Sequence, residues 1–586
     1  MAAKNATFKR LIKVGIALSA EKDLDTLMEM ILLEAKDLAH ADGGTVYRRT
    51  KEDKLQFEII RNDTLGMARG GTTGEQIDIP PVEMYLEDGT PNESQIVSYA
   101  ALSGETLNVK DAYDSSEFDF TGTKRFDEGT GYRTTSVLTV PLKNNKDRVI
   151  GVLQLLNARD SDTGEVIEFT DEVQPLVEAL ASQAAVALDN ASLIEQLEHL
   201  MESFITLMAS AIDAKSPYTG GHCQRVPQLT EMLTKAVCES DAPPFRDFDL
   251  DETEWRELHI AGWLHDCGKV TTPEYVVDKA TKLETISDRI HEIRTRFEVV
   301  KRERVIEYQN KLLAGEGDPD QLKAELDEQL ASLDDDFEFI ARCNLGGEFM
   351  AQELVDRVHQ IAEIEWTRTL DDRLGVSQAE LKRRSKEPAR PVPCKEKLLA
   401  DRVDHLIEHD VPVHSADPDN PYGFKVEVPE YKYHRGELHN LCISRGTLSD
   451  EERFKINDHI VQTIVMLESL PLPDHLKRIP EIAGGHHEKM DGTGYPRKLE
   501  GGDMSIPARV MAIADVFEAL TAADRPYKPP KTLSDSIRIM SFMVKDDHLD
   551  PELFRLFLES GVYKDYAMQF LEPTQIDEVN IKDYLS

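Results

Sequence analysis

Apolar positions change their period twice along the chain. From Phe8 to Ala39 they recur every three or four residues, which predicts one amphipathic helix. Four runs then stay apolar or alternate over strand-like lengths: GTVYRR (Gly44–Arg49), KLQFEII (Lys54–Ile60), SVLTVPL (Ser136–Leu142) and VIGVLQLLN (Val149–Asn157). Gly, Asn and Asp turn signals separate them, so residues 1–190 read as one α+β domain. Past Phe169 the helical period returns, and Leu193, Leu197, Leu200, Phe204 and Leu207 fall at spacings of 4, 3, 4 and 3. That short heptad seam predicts a coiled-coil linker helix over 191–208 that pairs two copies of the chain, or else a helix packed on its own domain.

From Phe204 onward helical periodicity dominates, and no run reads convincingly as a strand before about residue 424. The stretch 285–445 is conspicuously charged. Within it Ile286, Ile290, Ile293, Phe297 and Val300 repeat the 4, 3, 4, 3 spacing, the turn AGEGDPD (Ala314–Asp320) interrupts, and Leu322, Leu326, Leu330 and Leu333 resume it. An antiparallel helical hairpin is expected there.

Composition then narrows the classes. With 586 residues the chain has room for several cores, and 30% charged against 40% hydrophobic residues is a globular balance. No apolar run approaches the roughly 18 residues of a membrane span, and the N-terminal segment lacks the apolar core of a signal peptide, so no membrane association and a cytoplasmic location are expected. A formal net charge of -41 opposes binding to DNA, RNA or anionic lipid, so a phosphate ligand would need local cations or metals. Six cysteines without a C-x-x-C pair give neither a disulfide framework nor a thiolate zinc site.

The chemistry gathers around GGHHEKMDGTGYP (Gly484–Pro496). Neighbouring side chains on a helix diverge by about 100°, so His486 and His487 suit two closely spaced ions better than one. Their company strengthens the reading. In LHDCGK (Leu264–Lys269) an apolar helix stripe ends by turning His265 and Lys269 inward beside Asp266. Asp515 interrupts the apolar helix ARVMAIADVFEAL, where a lone carboxylate needs a cation or several donors. His459 lies on a helix that opens with Ser449 and Glu452 as a capping box, and His222 sits in SPYTGGHCQRV. Imidazoles and carboxylates without thiolate suit Mn(II), Fe(II) or Zn(II). In DRPYK (Asp524–Lys528), Arg525 and Lys528 offer a planar fork and a point charge suited to a phosphodiester. His405, His409 and His414 read as solvated side chains rather than a further metal site.

Taken together, His222, the His265–Asp266 pair with Lys269, His459, the His486–His487 pair followed by Gly494–Tyr495–Pro496, and Asp515 followed by DRPYK resemble the HD-GYP family. These are HD-domain phosphohydrolases that hydrolyse the bacterial second messenger cyclic di-GMP. The separations of 27 residues from His459 to His486 and of 28 from His487 to Asp515 look like those of that family. The resemblance covers 204–284 and 446–586, leaving 285–445 as a large, mainly helical insertion. It implies an all-α domain in which His222, His265, Asp266, His459, His486, His487 and Asp515 hold two divalent transition metal ions, iron or manganese, with His486 and His487 on different ions. Asp266 and Lys269 would be catalytic, Lys269 at the scissile phosphate or the leaving oxygen. Arg525 and Lys528 would clamp the phosphates, and Gly494, Tyr495 and Pro496 would wall the substrate. In the family that loop is also linked to contacts with diguanylate cyclases. Tyr218 stands where members with a third metal carry Glu, so two ions are expected.

The segments Leu24–Arg49 and Thr130–Asn157 resemble a GAF domain. TGYRTTS (Thr130–Ser136) and Asn157 are similar to cyclic-nucleotide-binding members, whereas Ala158 stands where those carry Lys. A cyclic nucleotide and a purely structural dimerisation role are therefore both open for this domain. The whole chain is expected to be a homodimeric sensor-enzyme, in which GAF occupancy tunes hydrolysis of cyclic di-GMP to pGpG, with pGpG or GMP as the end product. Two alternatives remain beside it: a hydrolase of another cyclic dinucleotide such as cyclic GMP-AMP, and a non-catalytic dinucleotide receptor or adaptor.

Overall fold

The computed structural model describes residues 2–21, 23–215, 221–347, 349–523 and 530–585, with side chains described from residue 9 onward. The chain divides into two compact units, Met1–Glu202 and Ser203–Ser586. In the first, the single helix expected from Phe8 to Ala39 is two, α1 (Ala2–Ala20) and α2 (Leu24–Ala39). Asp23 causes the break: its backbone is extended and its carboxylate accepts from Thr26 N as the cap of α2.

Eight antiparallel strands follow: β1 (Ala41–Arg49), β2 (Lys54–Asn62), β3 (Met67–Gly70), β4 (Val82–Glu83), β5 (Leu107–Val109), β6 (Val137–Lys143), β7 (Val149–Arg159) and β8 (Val166–Ile167). Their order is β3-β2-β1-β7-β6-β5, with β4 on β2 and β8 on β7. Helices α3 (Ile96–Ser103), α4 (Thr121–Thr130) and α5 (Gln174–Lys215) complete the unit, α5 continuing into the next one. Strand alternation divides the apolar residues between two layers. Val46, Val140, Leu153 and Leu155 pack with α1, α2 and the first part of α5, while Tyr47, Val137 and Val152 pack with α3. Leu193, Leu197, Leu200, Phe204 and Leu207 on α5 are each more than half exposed, which removes the reading of that seam as a face packed on its own domain.

The polar residues of TGYRTTS close on one another. Asn157 Nδ2 donates to Tyr132 Oη (2.9 Å) and to Arg133 O (2.7 Å), and its Oδ1 accepts from Thr135 N (2.6 Å). Tyr132 Oη donates to Asp42 Oδ2 (2.7 Å), while Asp42 Oδ1 accepts from Thr64 Oγ1 (2.9 Å) and Arg159 Nη2 (2.6 Å). Asp127 accepts from Thr134 N and Oγ1 at 2.8 and 3.0 Å.

The second unit begins with α6 (His222–Cys238), α7 (Glu252–Leu264) and α8 (Glu274–Val277), then the expected hairpin, α9 (Ile290–Ala314) and α10 (Pro319–Asn344). Phe297 against Phe337 and Lys301 paired with Asp334 fix its antiparallel register. After α11 (Gln352–Ala362), α12 (Gln378–Arg384) and α13 (Glu437–Leu441) are short, and most of the insertion between them is not helical. It carries two small antiparallel pairs instead, β9 (Glu365–Arg368) with β10 (Cys394–Lys397) and β11 (Leu406–Ile407) with β12 (Tyr433–His434). The expectation that no strand precedes residue 424 fails for a physical reason. This stretch, with three prolines in KEPARPVPC (Lys386–Cys394), has no apolar period to read, and ion pairs such as Arg368–Glu396 hold it.

The chain returns to helix with α14 (Asp450–Glu468), α15 (Ile479–Gly484), α16 (Ile506–Thr521), α17 (Leu533–Lys545), α18 (Pro551–Glu559) and α19 (Val562–Phe570). Val226 and Leu229 of α6, Ile513 and Phe517 of α16 and Phe554 and Phe557 of α18 share one buried core, which fixes α6 beside α16. Among the described residues no helix is long and apolar enough to cross a membrane.

Candidate metal centre

Each candidate donor is presented by a helix end or an adjoining turn, apart from His459 and Asp515, which lie within helices. Helix α7 opens with a capping box of Asp251 and Glu254 and stops at Leu264, so that His265 forms its C-cap and Asp266 leads into a tight turn over Cys267–Thr271. Gly268 lets that turn touch α14: a Cβ there would collide with the His459 carbonyl oxygen, and Gly268 N donates to Thr463 Oγ1 at 2.9 Å. The contact carries His265 and Asp266 to His459. Ser449 and Glu452 cap α14 as expected. His222 is the first residue of α6, Asp515 lies on α16, and His486 and His487 follow α15 in a turn.

Two donor groups result. Donor atoms of Asp266, His459, His486 and His487 lie within 4.8 Å of one another, and so do those of His222, His265 and Asp266. Asp266 is common to both groups. Asp515 Oδ1 stands 3.3 Å from His222 Nε2, which is also 3.1 Å from Asp266 Oδ2. The expectation of one ion for each of His486 and His487 is not what this grouping gives. They lie in a turn rather than a helix, so the 100° divergence does not apply, and both face the same cluster.

Backbone carbonyls decide which ring nitrogen faces inward. His265 Nδ1 donates to Gly262 O (2.7 Å), His459 Nδ1 to Ile456 O (2.6 Å) and His486 Nδ1 to Ala483 O (2.6 Å). With Nδ1 so engaged, the nitrogen each ring turns into the cluster is Nε2, the one free to bind a metal. His265 Nε2, His486 Nε2 and Asp266 Oδ1 are buried without a hydrogen bond, and His459 Nε2 stands 3.2 Å from that same Asp266 oxygen. Lone pairs facing lone pairs at such distances repel, and a divalent cation between them is the partner that removes the penalty. The donor set fits such ions.

His486 and His487 are held unprotonated by their surroundings. Burial, then the neighbouring His265, pushes His486 down to about 4. Burial, then His486, holds His487 well below the ordinary imidazole range. For His222, burial and the Lys269 ammonium oppose protonation, yet Asp266, Asp515 and Glu518 outweigh them and raise its pKa. Asp266 and Asp515 stay below the carboxylate range although burial acts the other way, Asp266 chiefly through Lys269 and Asp515 through the hydrogen bond from His222. Lys269 Nζ bonds Asp266 Oδ2 at the edge of the cluster, and its side chain is partly buried.

In the Gly-Tyr-Pro loop, the Tyr495 ring stacks on His487 at 4.9 Å, whereas Gly494 and Pro496 are buried. Gly494 has no room for a Cβ against the backbone of Glu488, and Pro496 O accepts from Lys425 N of the insertion (2.8 Å). Arg525, Lys528 and Tyr218 lie outside the described residues. His405, His409 and His414 are not simply solvated: His405 Nδ1 accepts from Arg402 N, His409 Nε2 donates to Pro429 O, and the His414 ring meets Tyr422.

Two buried carboxylates escaped the sequence reading. Glu518 bonds His222 Nδ1 through one oxygen and Arg225 through the other (2.6 Å), and Glu488 accepts from Arg497 N (2.6 Å) and Leu499 N (3.0 Å). Glu518 had a usable signal: it follows Asp515 by three residues on one apolar helix, hence on the same face.

Comparison with known families places names on both units. GAF domains match residues 23–188 and HD domains match residues 393–553. The chain carries a GAF domain followed by an HD domain. The HD match contributes His459, His486, His487 and Asp515; His222, His265 and Asp266 precede it and join through the fold. A 3′3′-cGAMP-specific phosphodiesterase of Vibrio cholerae is 36% identical over 141 residues, 23% of this chain and 29% of that one. A second such enzyme of Vibrio cholerae is 51% identical over 79 residues, 14% and 15% of the two chains. A cyclic di-GMP phosphodiesterase of Thermotoga maritima is 39% identical over 119 residues, 20% and 32%. The match thus spans less than a third of each of these relatives. The solved GAF domain of an Acinetobacter phosphoenolpyruvate-protein phosphotransferase aligns over 33% of this chain and 98% of that one, at 13% identity and a TM-score of 0.24.

Proposed function

We propose that this chain is a metal-dependent phosphodiesterase that hydrolyses cyclic di-GMP to pGpG and on to GMP, under control of its GAF domain. The observation that carries the reading is the sharing of Asp266 by two buried donor groups whose lone pairs converge without hydrogen bonds. His222, His265, Asp266, His459, His486, His487 and Asp515 would hold two ions, iron or manganese, Asp266 being common to both donor groups. When bound, the ions supply Lewis acidity toward the phosphodiester and acidify a water at neutral pH. Lys269, held by Asp266 at the edge of the cluster, neutralises a phosphate oxygen or the leaving oxygen. Tyr495 braces His487 from the substrate side, and Arg525 and Lys528 clamp the phosphates.

The exposed leucine seam of α5 supports a homodimer through the GAF domain and linker helix. The turn that leads into the Gly-Tyr-Pro loop, exposed at Asp491 and Thr493, is the surface offered to diguanylate cyclases. A cytoplasmic location fits the substrate. A second reading, hydrolysis of 3′3′-cGAMP, is favoured by the relatives named for that substrate. The test is chromatography of products after incubating the manganese- or iron-loaded chain with cyclic di-GMP, 3′3′-cGAMP and cyclic di-AMP in parallel. Preferred turnover of cyclic di-GMP supports the first reading, preferred turnover of 3′3′-cGAMP the second, and no turnover of any by a two-metal protein defeats both.

A further inference from the structure

Outside the metal centre, a second concentration of charge lies in the insertion. A cavity of about 680 Å³ opens between the start of α9, the β9–β10 pair and the chain around Arg402. Nine of its lining residues are Arg or Lys and eight are Asp or Glu, a local excess of cations in a chain whose net charge is -41. Four of the eight carboxylates are engaged by particular cations, Glu437 by Arg296, Glu396 by Arg368, Asp372 by Arg384, and Asp404 by Arg384 and Arg402, while Glu292, Glu365, Glu387 and Asp401 stay exposed to solvent. Three guanidiniums have no ion-pair partner. Among the described residues Arg289, Arg373 and Arg390 pair with no carboxylate; Arg289 donates only to Leu283 O and Arg435 O, and Arg373 only to Arg384 O and Glu387 O.

Arg289 is half-buried, and withdrawing a guanidinium from water without a direct ion-pair partner is costly. Burial lowers its pKa although Glu437 and Glu292 act the other way. Burial, then Arg402, also pushes His405, on the same wall, down to about 4, so it stays neutral in this cationic setting. Trp366 lines the cavity too, and its indole Nε1 is buried with no acceptor. Planar forks that each meet two oxygens suit phosphate better than a lone carboxylate, and the volume lies in the range of nucleotide-sized ligands.

We propose that this cavity is a second binding site, separate from the metal centre, for a phosphorylated small anion whose phosphates neutralise Arg289, Arg373 and Arg390. Inorganic diphosphate and a nucleoside polyphosphate share that chemistry. The test titrates the EDTA-treated full chain with pyrophosphate and with ATP by calorimetry, following tryptophan emission alongside, so that no outcome depends on catalysis. Saturable binding at one site per chain is expected. Arg373→Gln/Arg390→Gln should weaken it about tenfold or more at an unchanged thermal midpoint, since neither side chain is buried. Trp366→Phe should remove the emission change and keep the stoichiometry. Binding of ATP alone identifies a nucleotide site, and equal binding of both probes identifies a phosphate site; each supports the proposal. No saturable binding of either probe, or full affinity in the double Gln variant, overturns it.

Discussion

Both units bury a knot of polar side chains, and the two knots are built on opposite rules. In the GAF domain every member of the Asp42–Tyr132–Asn157 cluster meets a group of complementary polarity, and Asp42 alone accepts three hydrogen bonds. In the HD unit, imidazole nitrogens and carboxylate oxygens of the same polarity face one another, three of them buried with no hydrogen bond. Burial of polar groups is therefore not what marks a binding centre. The mark is a group of buried acceptor atoms that face one another unbonded, an arrangement an added cation completes. On this basis the TGYRTTS residues and Asn157 act first as joints that tie the loop before β6 to β7.

The largest expected effect breaks the HD side of the comparison. Asp266→Asn removes the oxygen charge shared by both donor groups, so kcat/KM on the preferred dinucleotide should fall about 10³-fold or more. Bound metal measured by elemental analysis should fall below two ions per chain. Retention of two ions and full turnover would refute the shared-carboxylate reading. Asp42→Ala breaks the other side. It strands Tyr132, Thr64 and Arg159 and should cost the GAF unit about 3 kcal/mol in calorimetric unfolding while leaving metal content untouched.

A third change sharpens the contrast at its boundary, where one satisfied pair supports an unsatisfied centre. Glu518→Gln weakens the orientation of His222 and should lower metal affinity about 10- to 100-fold in competition with a chelator. The fourth is a control within the HD unit: His439 and Glu451 form an imidazole–carboxylate pair that is satisfied, 3.1 Å apart. Although burial works against it, hydrogen bonds from His439 and Ser449 bring Glu451 down to about 2, from an ordinary 4.5. The bond to Glu451 raises His439 above 6.5 in spite of burial. The Glu451 contribution is present above about pH 4.5 and disappears as pH falls toward 2, while the His439 contribution is full below about 6.5 and disappears as pH rises through its raised pKa. Glu451→Gln should therefore cost about 1 kcal/mol at about pH 5.5 and less at about pH 9, read from thermal midpoints, with no loss of metal.

Sequence periodicity located four of the eight GAF strands, β1, β2, β6 and β7, the α9–α10 hairpin and the capping box of α14, because each is written in neighbouring residues. It merged α1 with α2, since Asp23 breaks the helix by backbone conformation and not by hydropathy. It failed in the second half of the insertion, where ion pairs distant in sequence replace an apolar pattern. Gly268 was visible as a letter within LHDCGK, but its need to be glycine arises only from the α14 backbone lying against it.

The chain order alone fixed which side chains are available as donors and, for three of the histidines, even which nitrogen is offered. His265, His459 and His486 all bond the carbonyl three residues earlier, a local geometry that any helix or helix end provides. What the tertiary structure decided is their convergence. His222 comes from α6, Asp266 from the turn after α7, His459 from α14, the paired histidines from behind α15 and Asp515 from α16. Only the apolar packing of those helices on a common core holds like-polarity atoms close enough to require a metal, because such contacts are repulsive and no local sequence preference forms them.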